Sequence, residues 1–177
     1  MERIGLFFGS FNPFHIGHLL CITNIYNKKL VDAICIIPAW QNPWKEHTGN
    51  YNIRCDICDA MVSEIPFAFV SDIEEKLKPQ YTYEVLKYIL QEHSKNKHYI
   101  IGGTDTANDI SKWKNGDWIL KNFPILTVGR LGFTDEDVNG IKISSTDIRD
   151  MVRNGLNPIP YINVKAYQII IDTKIYG

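Results

Sequence analysis

Arg3-Ile4-Gly5-Leu6-Phe7-Phe8-Gly9-Ser10-Phe11-Asn12-Pro13-Phe14-His15-Ile16-Gly17-His18 joins an apolar run, a glycine-serine turn and two histidines three residues apart. The run Ile4 to Phe8 predicts a buried strand, because its apolar side chains face both ways and Gly9 stops it. Asn12-Pro13 marks a turn. From Gly17 onward Leu19, Leu20, Ile22, Ile25 and Tyr26 recur with helical spacing. Both histidines therefore fall at the start of the first helix, beyond the carboxyl end of the first strand. In open α/β sheets that crevice takes the ligand, and a helix start offers free N–H groups and a positive dipole to anions. The stretch predicts a phosphate site.

Outward from it, strand-like and helix-like runs alternate. Strands are expected at 3–8, 33–37, 67–70, 98–101 and 124–128. Helices are expected at 17–29, 51–64, 82–93 and 106–121, the last broken near Asn115-Gly116. Such alternation means βαβ units, a parallel sheet and helices on both faces. A polar link from Arg130 to Gly140 leads to two further helices, one opening at Ser144 and one after Pro160.

The 177 residues suit one domain with a genuine core, and 45% hydrophobic content is ordinary for a globular protein. A net charge of -1 argues against a nucleic-acid partner, which needs a positive field. No apolar run approaches the ~18 residues of a membrane span. The start lacks the pattern of a signal peptide, so a cytoplasmic protein is expected. Cys55-x-x-Cys58 lies in a helical pattern and has no second ligand pair, so these cysteines read as packing residues and no protein-held metal is expected.

Ser144-Ser145-Thr146-Asp147-Ile148-Arg149 is the second informative stretch. Ser144 three residues before Asp147 makes a credible helix cap. Successive hydroxyls at a helix start also make a phosphate cradle, with Arg149 one turn further in.

The opening Gly9-Ser10-Phe11-Asn12-Pro13-Phe14-His15-Ile16-Gly17-His18 and the closing Ile143-Ser144-Ser145-Thr146-Asp147-Ile148-Arg149 together resemble the nucleotidyltransferase superfamily. More narrowly they resemble nicotinate-mononucleotide adenylyltransferase. Three landmarks between them fit in order: Asn42-Pro43-Trp44-Lys45, Tyr81-Thr82-Tyr83-Glu84-Val85-Leu86, and Gly103-Thr104-Asp105 followed by Lys112-Trp113-Lys114. The resemblance implies a Rossmann-like, doubly wound α/β fold with a helical C-terminus. It also implies transfer of AMP from ATP to nicotinate mononucleotide, yielding deamido-NAD and pyrophosphate, with Mg²⁺ carried mainly on the ATP phosphates.

By the same resemblance His18, His15 and Ser10 form the catalytic set, with His18 donating to the α-phosphate either as a neutral or as a charged ring. ATP falls to Gly9, Ser10, Phe11, His15, His18, Gly103, Asp105, Arg130, Ser144, Ser145, Thr146 and Arg149. Gly9 is expected to be glycine because a Cβ would obstruct the phosphates. The mononucleotide falls to Lys45, Tyr81, Thr82 and Trp113, with Trp113 stacking on the pyridine ring. Read as isolated residues, Thr82 is equally a helix cap and Trp113 a packed helical tryptophan.

Phe8, Ser10 and Asn12 depart from the bacterial pattern and lean toward nicotinamide-mononucleotide adenylyltransferases, so both pyridine mononucleotides stand as substrates. Pantetheine-phosphate adenylyltransferase is a more distant enzyme reading, and a nucleotide-binding regulator without turnover is the non-enzyme one. His15-Ile16-Gly17-His18 also spells a signature of class I aminoacyl-tRNA synthetases, but this length leaves no room for tRNA-binding domains. The Tyr161–Ile175 segment either finishes the core or forms a face for a homo-oligomer.

Overall fold

The computed structural model describes residues 1–41, 49–128 and 143–177, apart from the side chains of residues 104, 105 and 128. Five strands form one parallel sheet: β1 (Arg3–Gly9), β2 (Ala33–Pro38), β3 (Ala68–Val70), β4 (Lys97–Gly103) and β5 (Ile125–Val128), in the order β3-β2-β1-β4-β5. The helices are α1 (Ile16–Asn27), α2 (Tyr51–Val62), α3 (Ile73–Leu77), α4 (Thr82–Glu92), α5 (Thr104–Asp109), α6 (Gly116–Asn122), α7 (Ser145–Arg153) and α8 (Val164–Thr173).

Strand alternation builds two apolar layers. Phe7, Ile34, Ile36 and Ile101 face one side, where Ile22 and Ile25 of α1, Ile57 and Met61 of α2, and Ile148, Ala166 and Ile170 of α7 and α8 cover them. Leu6, Cys35, Ile37 and Ile100 face the other side, against Val85, Leu86 and Ile89 of α4 and Ile119 of α6. Both faces of a parallel sheet are thus closed, as the continuous apolar runs require. The expected α/β architecture, with its helical C-terminus, is the one observed.

Three details differ from expectation. Phe67 lies outside β3. The short α3 was not anticipated. The helix expected over 106–121 divides into α5, a 3₁₀ turn over Ile110–Lys112, and α6. Asn115, at φ +57°, reverses the chain before α6. Trp113 therefore sits in an extended residue at the break, not in a helix.

The sheet grows outward in both directions from the β1/β4 pair, which makes this pair the topological switch point. Gly9 pairs with Pro38, and Gly103 with Val128, so the carboxyl ends of the strands finish together. Among the described residues no helix is long and apolar enough to cross a membrane.

Candidate active site

After Gly9 the chain leaves β1 through a tight turn in which Phe11 takes φ +43°. The Phe11 ring is buried between those of Phe7 and Phe14, at centroid distances of 5.3 and 5.2 Å. A Cβ on Gly9 would lie 2.7 Å from that ring. The packing of Phe11 thus gives this glycine a structural reason of its own, beside the expected clearance for phosphates.

His15 is the N-cap of α1, and the two histidines build a reciprocal capping box. The Gly17 N–H donates to His15 Nδ1 at 3.1 Å, and the His15 N–H donates to His18 Nδ1 at 3.2 Å. The rings lie 3.8 Å apart. Gly17 is needed here because a Cβ would come 2.9 Å from His15 Cε1.

Because each Nδ1 already accepts a backbone hydrogen bond, the neutral tautomer carries its proton on Nε2. Burial pushes His15 down to about 4, against the pull of Asp147. Burial, then His15, holds His18 well below the ordinary histidine range. The Phe11 and Phe14 rings, 5.2 and 5.0 Å from the His18 ring, supply that apolar surround. Of the two states expected for the His18 ring, the neutral one is favoured by this environment.

The closing stretch docks directly onto this turn. Ser144 caps α7: its N–H and hydroxyl both donate to Asp147 Oδ2 at 2.7 Å, while the Asp147 N–H returns to Ser144 Oγ. Ser145 Oγ donates to the Pro13 carbonyl at 2.9 Å, and Arg149 donates to the Asn12 carbonyl at 2.8 Å. Arg149 also donates to Thr146 Oγ1. Residues more than 130 positions apart in sequence thus meet. Their side chains hold one another and the turn, with the α7 helix start beside the histidines.

The described mononucleotide candidates lie on the opposite layer. Tyr81 is the N-cap position of α4 and Thr82 its first residue, so the cap expected of Thr82 falls one residue earlier. Tyr81 is exposed, and Thr82 is half-buried. Trp113 is half-buried and packs with Tyr83 and Trp118 against the second cluster, so its core contacts are real. Gly103 ends β4 and caps α5. Asp105 lies in the first turn of α5 with its side chain outside the described set, and Lys45 and Arg130 lie outside the described residues.

Cys55 and Cys58 are free thiols on α2 that burial pushes up, as packing cysteines should be. On the same helix Arg54 is fully buried. It donates to the carbonyls of Ser10 at 2.6 Å and Ala39 at 2.7 Å, and its guanidinium lies 5.5 Å from the Tyr51 ring centre. Glu74, buried on α3, accepts the Trp40 N–H at 2.6 Å. Burial raises its carboxyl to about 7, opposed by that N–H and by Arg54. The sequence held a signal for Arg54, since it occupies the apolar stripe of α2 with Tyr51, Ile57, Cys58 and Met61. Nothing comparable marked Glu74.

Comparison with known proteins agrees with this architecture. A cytidylyltransferase-like family model matches residues 6–151. A probable nicotinate-nucleotide adenylyltransferase of Cytophaga hutchinsonii is 30% identical, covering 99% of this chain and 98% of its own. One of Clostridium tetani is also 30% identical, over 100% and 98% respectively. A Plasmodium falciparum nicotinic acid mononucleotide adenylyltransferase, solved in complex with NaAD, superposes with a TM-score of 0.79 at 19% identity over 99% of this chain and 98% of its own; at that identity it speaks for the fold. On the family model over most of its length and on relatives 30% identical across almost their whole length, the chain belongs to the nicotinate-nucleotide adenylyltransferases of the cytidylyltransferase-like family.

Proposed function

We propose that this protein transfers AMP from MgATP to nicotinate mononucleotide, forming deamido-NAD and pyrophosphate. The observation that carries the reading is the His15–His18 box at the switch point, with the α7 start docked against it. The names of the relatives support the choice of acceptor.

In the reaction a 5′-phosphate oxygen attacks the α-phosphorus of ATP in line, and the bond to the bridging β-phosphate oxygen breaks to release pyrophosphate. No protein nucleophile is needed, so catalysis rests on positioning and on stabilising developing charge. His18 donates through Nε2 to the α-phosphate, and His15 donates to the neighbouring phosphates. Ser10 and the backbone of Gly9 and Phe11 line the approach. Ser144, Ser145, Thr146, Arg149 and Arg130 hold the β- and γ-phosphates, while Gly103 and Asp105 serve the nucleoside. Lys45, Tyr81, Thr82 and Trp113 take the mononucleotide.

The described donors beside the turn are imidazoles, hydroxyls and N–H groups, which suit phosphate oxygens better than a hard cation. Among the described residues, Asp147 is committed to its cap and Glu74 to Trp40. Mg²⁺ then arrives with ATP as part of the substrate. The free thiols favour a cytoplasmic setting.

Pyrophosphate release tests the proposal, with MgATP offered alongside nicotinate mononucleotide, nicotinamide mononucleotide or phosphopantetheine. Release is expected with nicotinate mononucleotide, at a kcat/KM at least ~10-fold above that for the amide, since one misplaced polar pair costs that much. ATP binding without release in any mixture would instead indicate a nucleotide-binding regulator.

A further inference from the structure

Arg54 and Glu74 lie outside the reacting set, yet both are buried ionisable side chains aimed at backbone of the two loops that border the crevice. The Arg54 terminal nitrogens reach Ser10 O on the loop after β1 and Ala39 O on the loop after β2, with Trp40 O at 3.5 Å. From the other side Glu74 takes the Trp40 N–H. The Ala39 N–H in turn donates to Gly9 O at 2.9 Å. The Trp40 ring tilts against Tyr51 at 5.1 Å and carries Lys78 Nζ at 5.2 Å.

Packing alone does not account for these two groups. A buried charge costs more than an apolar side chain of the same size unless its hydrogen bonds are needed. The Arg54 Nε–H finds no acceptor among the described residues, so the guanidinium is placed for the two loops and not for its own satisfaction. Each loop leads to a different substrate in the proposed reaction. Ser10 precedes His15 and His18 on the ATP side, whereas Trp40 precedes the segment that carries Lys45 on the mononucleotide side.

We infer that Arg54 and Glu74 are positioning residues that clamp the loops after β1 and β2 to each other, fixing the distance between the attacking phosphate and the α-phosphorus. This rests on the adenylyl-transfer reading. The clamp acts on alignment more than on affinity, and an error of about an ångström in alignment is enough to cost ~100-fold in rate.

The test uses Arg54→Met and Glu74→Leu, apolar replacements of similar size, together with Arg54→Lys, which keeps the charge but cannot span both carbonyls. In folded protein, kcat is expected to fall about 30- to 100-fold in Arg54→Met and ~10-fold or more in Glu74→Leu, with ATP affinity within about threefold of the parent. Arg54→Lys should not restore kcat. Hydrogen exchange supplies a readout independent of turnover: peptides covering residues 10–18 and 39–41 should exchange faster together in Arg54→Met, with β4 unchanged. A folded Arg54→Met with kcat near that of the parent, or faster exchange in α2 alone, overturns the clamp. If Arg54→Met does not fold, the kcat of Glu74→Leu decides. If the parent itself releases no pyrophosphate, the proposed reaction fails while the exchange result still judges the clamp.

Discussion

At the scale of single residues, the two histidines do more than decorate a helix start. Each gives its Nδ1 to a backbone N–H, which fixes ring orientation and tautomer before any substrate arrives. If neutral His18 stabilises charge on the α-phosphate, His18→Ala should lower kcat at least ~100-fold, the usual loss for one such donor. Steady-state pyrophosphate release would measure it, and near-parental turnover would remove His18 from the mechanism. The buried rings also tie stability to pH. His15 titrates at about 4 when folded, whereas an unfolded chain takes up that proton near pH 6.5. Its contribution is thus fully present above about 6.5 and is lost as pH falls toward 4, on the order of 3 kcal/mol. His15→Asn keeps a capping acceptor without titrating. Urea unfolding at pH 7 and pH 4.5 should show the parent losing more stability than the variant, and equal losses would contradict the assignment.

At the scale of elements, the sequence was most readable where burial on both faces left no choice. The run Ile4 to Phe8 could only be an interior strand, and its side chains do divide between the two apolar layers. The cap of α7 was readable too, because Ser144 and Asp147 stand at the spacing their mutual bonds require. What escaped was short or indirect. Helix α3 has five residues, too few for periodicity to register, and ends at Lys78 with φ +45°, where glycine would have been the usual sign. Arg54 escaped although it stands in the apolar stripe of α2, because an arginine in a helix reads as solvated. Gly17 was read as part of a motif, while its physical reason, the His15 ring folded back over it, needed coordinates. The cap of α7 yields its own test. Ser144→Ala should destabilise the protein by ~1 kcal/mol in urea unfolding and raise KM for ATP. Lost stability with an unchanged KM would leave Ser144 a cap and nothing more.

At the scale of the whole molecule, the site is assembled from both ends of the chain over one core. Phe11 and Phe14, which belong to the turn after β1, share a cluster with Ile148 of α7, Ala166 and Ile170 of α8, and Tyr176. The turn and the last helix thus bury side chains in one apolar cluster, and Arg149 and Ser145 of α7 add hydrogen bonds to the turn. Such a structure should unfold as one unit, because α8 and the turn draw on the same apolar cluster. Ile170 is 1% exposed and lies in that cluster, while the groups assigned to the reaction lie on the turn and α7. Ile170→Ala should therefore cost ~2–5 kcal/mol through the cavity it leaves. Its kcat should stay within about threefold of the parent at low temperature, since no assigned phosphate contact is removed. Denaturant curves followed by tryptophan fluorescence and by far-ultraviolet circular dichroism should coincide in a single transition for parent and variant alike. Two separated transitions in Ile170→Ala would mean that α8 closes over an already folded sheet, and that the turn owes its geometry to β1 and α1 alone.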